Sequence, residues 1–171
     1  STDNETDPRW SPDGRYLSFT SARQGSESSQ LWLLDRSGGE AQRISDFDEG
    51  VSDYVWSPDG SRIVVVSQDA DSAAKADSTR PRPIVIDRYL VKRDGDGWLD
   101  RRRTHLYLLE VASKAVVQLT RGDADDREPA WSPDGQRIVF TSARHTDEDR
   151  SDETDLYVVE ARAGAEPQRL T

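Results

Sequence analysis

Short apolar runs, each bounded by polar turn-formers, recur along the chain in a fixed order, and the order predicts strands. Leu17 and Phe19, Ile63 and Val65, and Ile138 and Phe140 each sit two residues apart, the period of a half-buried strand. A second block aligns Leu31-Trp32-Leu33-Leu34 with Leu106-Tyr107-Leu108-Leu109 and Leu156-Tyr157-Val158-Val159, each followed by an acid at Asp35, Glu110 or Glu160. Its continuous apolar run predicts a mostly buried strand. A third block aligns Arg43-Ile44-Ser45, Gln118-Leu119-Thr120 and Arg169-Leu170-Thr171, the polar-edged outermost strand of each unit.

A turn punctuates every unit. Trp-Ser-Pro-Asp-Gly occurs at Trp10, Pro12 and Gly14, at Trp56, Pro58 and Gly60, and at Trp131, Pro133 and Gly135. Proline arrives with its φ preset, serine and aspartate suit the flanking turn positions, and glycine accepts a left-handed exit, so the string reads as a hairpin turn. The spacing repeats as well. Ile44 to Trp56 and Leu119 to Trp131 are 12 apart, and Leu31 to Ile44 and Leu106 to Leu119 are 13 apart. Four strands per roughly 40 to 50 residues is the signature of a β-propeller blade. The sequence therefore predicts an all-β partial β-propeller of three four-stranded antiparallel blades: blade 1 at about 1–46, blade 2 at about 47–121 and blade 3 at about 122–171. The repeated tryptophans read as inter-blade packing.

The middle unit is longer. Trp56 to Leu106 spans 50 residues where the flanking units have 21 and 25, which places an insertion at about 69–103. Its polar first part predicts a loop or short helical turn. Pro83 to Val91, a tight turn at Asp94-Gly-Asp-Gly97 and a return from Trp98 predict an extended hairpin.

Composition narrows the function classes. The chain has 171 residues, 33 acidic against 23 basic, and a net charge of −10, which argues against nucleic acid because such binding needs phosphate neutralisation. Apolar runs are far shorter than the roughly 20 residues of a membrane-spanning helix, so no membrane partner is expected. Without cysteine there are no disulfides or thiolate sites, and cytoplasm is the expected compartment. The chain opens at Ser1, contains no methionine and is cut at blade boundaries, so it reads as a piece of something larger. Three blades fall short of the four to eight of a closed ring. Further blades, or self-association of the isolated chain, are expected to cover the end faces.

The repeats resemble those shared by TolB-type proteins and by the prolyl oligopeptidase family of serine peptidases. The segment from Pro83 to Tyr107, with Arg88-Tyr89-Leu90-Val91, Asp94-Gly-Asp-Gly97, Trp98-Leu99-Asp100 and His105-Leu106-Tyr107, is similar to one in the acylaminoacyl peptidase and dipeptidyl aminopeptidase branch of that family. The resemblance implies a non-catalytic propeller segment that gates short peptides on their way to an α/β-hydrolase domain absent from this chain. The alternative is a TolB-like protein-interaction module. Catalytic residues and cofactors are expected to be absent: no Gly-x-Ser-x-Gly elbow occurs, and the two histidines, His105 and His145, lack triad partners in the pattern.

Three smaller signals remain. Asp94, Asp96 and Asp100 have the spacing of a calcium loop, set against a plain turn flanked by Lys92, Arg93 and Arg101. Tyr89, Arg101, Arg102 and Arg103 are candidates for contact with a substrate carboxylate or a partner, because guanidinium suits bidentate carboxylate recognition. The competing reading is a solvated face paired with local acids. His105, at the start of a repeated strand, reads as structural.

Overall fold

The computed structural model describes residues 4–23, 28–70, 102–144 and 153–171, together with the backbone of 92–93 and 97–98. Three antiparallel four-stranded sheets account for the three repeats. Blade 1 runs β1(Glu5–Trp10), β2(Tyr16–Ser21), β3(Gln30–Asp35) and β4(Gln42–Arg43). Blade 2 begins with β5(Asp53–Trp56) and β6(Arg62–Gln68); the insertion then carries a two-stranded ladder of β7(Lys92–Arg93) with β8(Gly97–Trp98). Its outer half is β9(Thr104–Glu110) and β10(Val116–Gln118). Blade 3 is β11(Asp126–Trp131), β12(Arg137–Ser142), β13(Asp155–Glu160) and β14(Gln168–Arg169). No helix occurs among the described residues, and the sheets do not close into a ring.

The register is the same in each blade because the same turn sets it. Trp10 faces Leu17, Trp56 faces Ile63 and Trp131 faces Ile138. In all three turns the glycine N–H donates to the serine carbonyl at 2.8–2.9 Å, with glycine φ at 67°, 70° and 67°. Each serine hydroxyl donates to the aspartate two residues on at 2.6 Å and accepts the backbone N–H of the next strand at 2.9 Å. A left-handed glycine closing a type I turn is the geometry that joins strands through a bulge. The serine bond comes first among the causes that hold Asp13, Asp59 and Asp134 below the usual carboxylate range, Asp59 at about 2.

One local difference follows from proline. Asp7 and Glu128 have φ of 50° and 52°, at register shifts in β1 and β11, and each is followed by a proline. Proline offers no N–H to the ladder, so the strand bulges there. Blade 2 has Tyr54 at that place, and β5 pairs without a shift.

The core lies between the sheets. Leu31, Leu33 and Ile44 of blade 1 pack with Tyr54, Trp56 and Ile63 of blade 2. Val66, Leu106 and Leu119 of blade 2 pack with Ile138, Phe140 and Val159 of blade 3. A four-stranded sheet with two apolar faces cannot bury both by itself, and full burial of each aliphatic side chain contributes about 1.5–3 kcal/mol, so stacking the sheets is what stabilises them. The repeated Trp and Leu/Tyr positions are packed in this way at the two internal joints and not at the two ends. Trp10 of blade 1 and Leu156 of blade 3 are exposed, because no sheet lies against those faces.

Candidate functional site

Every blade presents its Trp-Ser-Pro-Asp-Gly turn and its third-to-fourth-strand turn at one end. The connections between second and third strands, the insertion among them, leave from the other. Charged residues crowd this second end. Arg102 pairs with Glu49 at 2.9 Å, and Arg103 Nε donates to Asp123 at 2.8 Å. The backbones of Asp69 and Arg103 are tied by a 2.7 Å hydrogen bond where the insertion departs and returns, and the Asp69 carboxylate accepts the Arg103 N–H at 3.2 Å. Thr104 N–H donates to Asp125 at 2.8 Å. These pairs brace the root of the insertion against the connections on both sides of blade 2, through Glu49 on one side and Asp123 and Asp125 on the other.

Beneath them lies a buried ionic cluster. Asp126, at the start of β11, has no exposed surface and receives Arg144 through both Nε (3.1 Å) and Nη2 (2.6 Å). His105, at the start of β9, sets Nδ1 3.2 Å from the same carboxylate and Nε2 3.6 Å from Asp69. Arg144 also donates to the Arg121 carbonyl at 2.7 Å. Burial acts to raise the Asp126 carboxyl, and the hydrogen bonds from His105 and Arg144, with contributions from Thr120 and Ser142, outweigh it and bring it below its ordinary value. Such an arrangement holds Asp126 as a carboxylate and ties blade 2 to blade 3.

The cluster is chemically closed. A catalytic histidine needs one ring nitrogen free for a nucleophile or a substrate. Carboxylates face both nitrogens of His105, the residue is buried, and no hydroxyl among the described residues is bonded to it. His105 therefore serves packing and holds the Asp126 carboxylate in place.

Arg102 and Arg103 are paired at the foot of the insertion with Glu49 and Asp123, acids that folding brings in from elsewhere in the chain. Tyr89, Arg101, Asp94, Asp96 and Asp100 lie outside the described residues, as does His145. Among the described residues no group of three or more His, Cys, Asp or Glu side chains can hold a metal ion. The repeated residues meet one another across the blades. Trp56 Nε1 donates to Ser18 Oγ of blade 1 at 2.9 Å, and Trp131 Nε1 to the Val55 carbonyl of blade 2 at 3.1 Å. Pro12 lies against Gly60, and Pro58 against Gly135.

Asp126, Arg144 and Asp69 were not singled out from the sequence, although a signal was present. Thr-Ser-Ala-Arg occurs at 20–23 and again at 141–144, and an acid stands five residues before the tryptophan at Glu5 and at Asp126. Aligning these would have paired Arg23 with Glu5, which lie 3.4 Å apart, and Arg144 with Asp126.

Comparison with known proteins extends these observations. No family model matches the chain. It is 38% identical over 159 residues to the uncharacterized peptidase YuxL of Bacillus subtilis, an alignment covering 90% of this chain and 24% of the relative. Among solved structures it resembles the acylaminoacyl peptidase of Pyrococcus horikoshii, with a TM-score of 0.72, 19% identity, and coverage of 98% of this chain and 25% of the other. TolB of Acinetobacter baumannii matches all of this chain over 33% of its own length, with a TM-score of 0.58 and 20% identity. The chain thus spans about a quarter of the length of the peptidases it matches.

Proposed function

We propose, from the premise that this partial propeller is a relative of the acylaminoacyl peptidase-type and TolB-type propellers, that it belongs to the non-catalytic part of a serine exopeptidase or oligopeptidase. In that role it walls the approach to a hydrolase domain carried elsewhere in the whole protein and admits short peptides. The observation that carries the reading is the 38% identity to a protein named as a peptidase over 90% of this chain. The build of the chain supports it. Sheets locked by repeated turns and by a buried ionic tie between blades 2 and 3 form a stiff wall, which selects by size without an ordering cost when a peptide passes. The closed His105 cluster fits a part of the protein that performs no chemistry itself.

The test uses the whole protein. It is expected to react with a fluorophosphonate probe and to hydrolyse short chromogenic peptides in preference to long ones, with shortening of 71–101 changing that preference. The 171-residue chain by itself is expected to show no turnover. A whole protein that neither takes the probe nor cleaves any peptide would overturn the peptidase reading and favour a TolB-like interaction module, for which the match to TolB over the full chain is the supporting observation. Cytoplasmic location is part of the proposal, checked by fractionating cells that express the whole protein. The end faces of the isolated chain, bare in the structure, are expected to be covered by blades of the same kind.

A further inference from the structure

The outer rims of the three blades differ, and the middle one stands apart. In every blade the fourth strand is last in its sheet, so its far side meets no other strand among the described residues. The register aligns Ala41-Gln42-Arg43 of blade 1, Val116-Val117-Gln118 of blade 2 and Pro167-Gln168-Arg169 of blade 3. An arginine on the edge, or a proline that offers no N–H, keeps a foreign strand from adding to a sheet. Blade 1 has the arginine, blade 3 has both, and blade 2 has neither. β10 is also three residues long against two for β4 and β14, and its Val116 and Val117 are 42% and 37% exposed.

Alternation along the ladder shows which backbone groups stand free. Glu110 N–H donates to the Ala115 carbonyl at 2.9 Å and Leu119 N–H to the Leu106 carbonyl at 2.8 Å, so residues 115, 117 and 119 bond to β9. The N–H and C=O of Val116 and Gln118 therefore point outward. We propose that this edge pairs antiparallel with β10 of a second copy of the whole protein, joining two blades into one continuous sheet across a two-fold axis. The contact involves neither end of the chain, and it is independent of the peptidase reading.

Free groups and charge select both the register and the occupant. With Val116 opposite Gln118 of the second copy, the N–H and C=O of both residues are met in each chain, and Val117 faces Val117 on the axis as an apolar cross-strand pair. Setting Val116 against Val116 brings Gln118 opposite Lys114, whose N–H is already given to the Glu110 carbonyl. Setting Gln118 against Gln118 brings Val116 opposite Thr120, whose N–H turns to the Leu106 carbonyl at 3.3 Å. A two-fold contact also needs a patch that tolerates itself. The net charge of −10 opposes contact between copies over most of the surface, but residues 111–122 include no acid. Their two cations, Lys114 and Arg121, fall at even and odd places and so on opposite faces of the joined sheet.

Sedimentation of the whole protein tests the proposal, and an assembly with an even number of copies is expected. Val116→Pro copies blade 3 and deletes an outward N–H that the β9 ladder does not use. Val117→Gln/Gln118→Arg copies blade 1 and leaves the backbone as it is. In each variant the concentration needed for pairing is expected to rise at least about tenfold, with unchanged circular dichroism. Facing Val117 positions would lie about 4.5 Å apart between Cα atoms, a span a disulfide can bridge. Val117→Cys is therefore expected to cross-link two copies on mild oxidation beyond the wild-type level, while Ser113→Cys, off the axis, is not. A whole protein that stays single at every concentration, edge variants that pair as the wild type does, or a Val117→Cys variant that does not cross-link would each overturn the proposal. Peptide hydrolysis is assayed separately, so either reading can fail while the other stands.

Discussion

The two joints between neighbouring blades occupy equivalent places and are built from different chemistry. Between blades 1 and 2 the buried polar groups are neutral: the Tyr54 hydroxyl donates to the Asp7 carbonyl at 2.6 Å and accepts from Ser18 at 3.0 Å, while Gln30 bonds Phe47 and Ser45. The ion pair that joins the two strands there, Arg9 with Asp53 at 2.7 Å, is partly exposed. Between blades 2 and 3 a fully buried carboxylate is held by Arg144 and His105. His105 and Gln30 are counterparts in the repeat, so one position is filled by an ionisable ring in one joint and by an amide in the other. The lesson is that the repeat fixes where blades touch and leaves free how their polar groups are paid for in desolvation. Neutral pairs ask little of their surroundings, whereas a buried charge must be matched completely.

The comparison yields predictions of decreasing size. Asp126→Ala leaves Arg144 and His105 facing an empty acceptor inside the joint, and about 3–5 kcal/mol of stability is expected to be lost in urea unfolding. A loss under about 1 kcal/mol would show that the ionic joint is no more demanding than the neutral one.

Acid should separate the two joints next. The Asp126 carboxyl lies below its ordinary value in the folded chain. Its contribution is therefore complete above the unfolded value near pH ~4 and disappears as pH falls through the folded value. His105 and Arg144 face it directly, with Asp69 on the far side of the imidazole. The lowered turn aspartates recur in every blade and do not distinguish the joints. Amide exchange on acidification should thus weaken first in β11 and β9 beside the cluster; simultaneous loss in β5 and β3 would break the distinction.

Tyr54→Phe removes one donor from the neutral joint and leaves the Asp7 carbonyl unmatched, for an expected loss of about 1–2 kcal/mol that is independent of pH in the acid range. His105→Gln, which copies blade 1 into blade 2, leaves the Arg144 pair intact and is expected to cost less than about 1 kcal/mol. A larger loss would give the imidazole a role beyond filling its place.

Much of the architecture was legible in the chain because turn chemistry and strand period are local. The Ser-Pro-Asp-Gly strings announced hairpins whose bonds repeat to within 0.1 Å for the glycine closure, and the Leu/Tyr blocks announced the third strands. The candidate site was less legible. Arg102 and Arg103 stand out as a basic run, yet their acids, Glu49 and Asp123, are distant in sequence and brought close only by folding. Asp126 looked like one acid among 33, and nothing local marks it as having no exposed surface. Trp10, Trp56 and Trp131 are identical in sequence context and differ in burial, since burial depends on whether another sheet lies alongside.

Sequence by itself determined the unit: four strands, their order, the register set at each tryptophan, and the need for every sheet to be covered on both faces. Tertiary structure decided which faces are covered and where charge is buried. The division has a physical cause. Hydrogen bonds within a turn and alternation along a strand act over a few residues, whereas desolvation and pairing of charges such as Asp126 with Arg144 arise only when segments far apart along the chain are packed together.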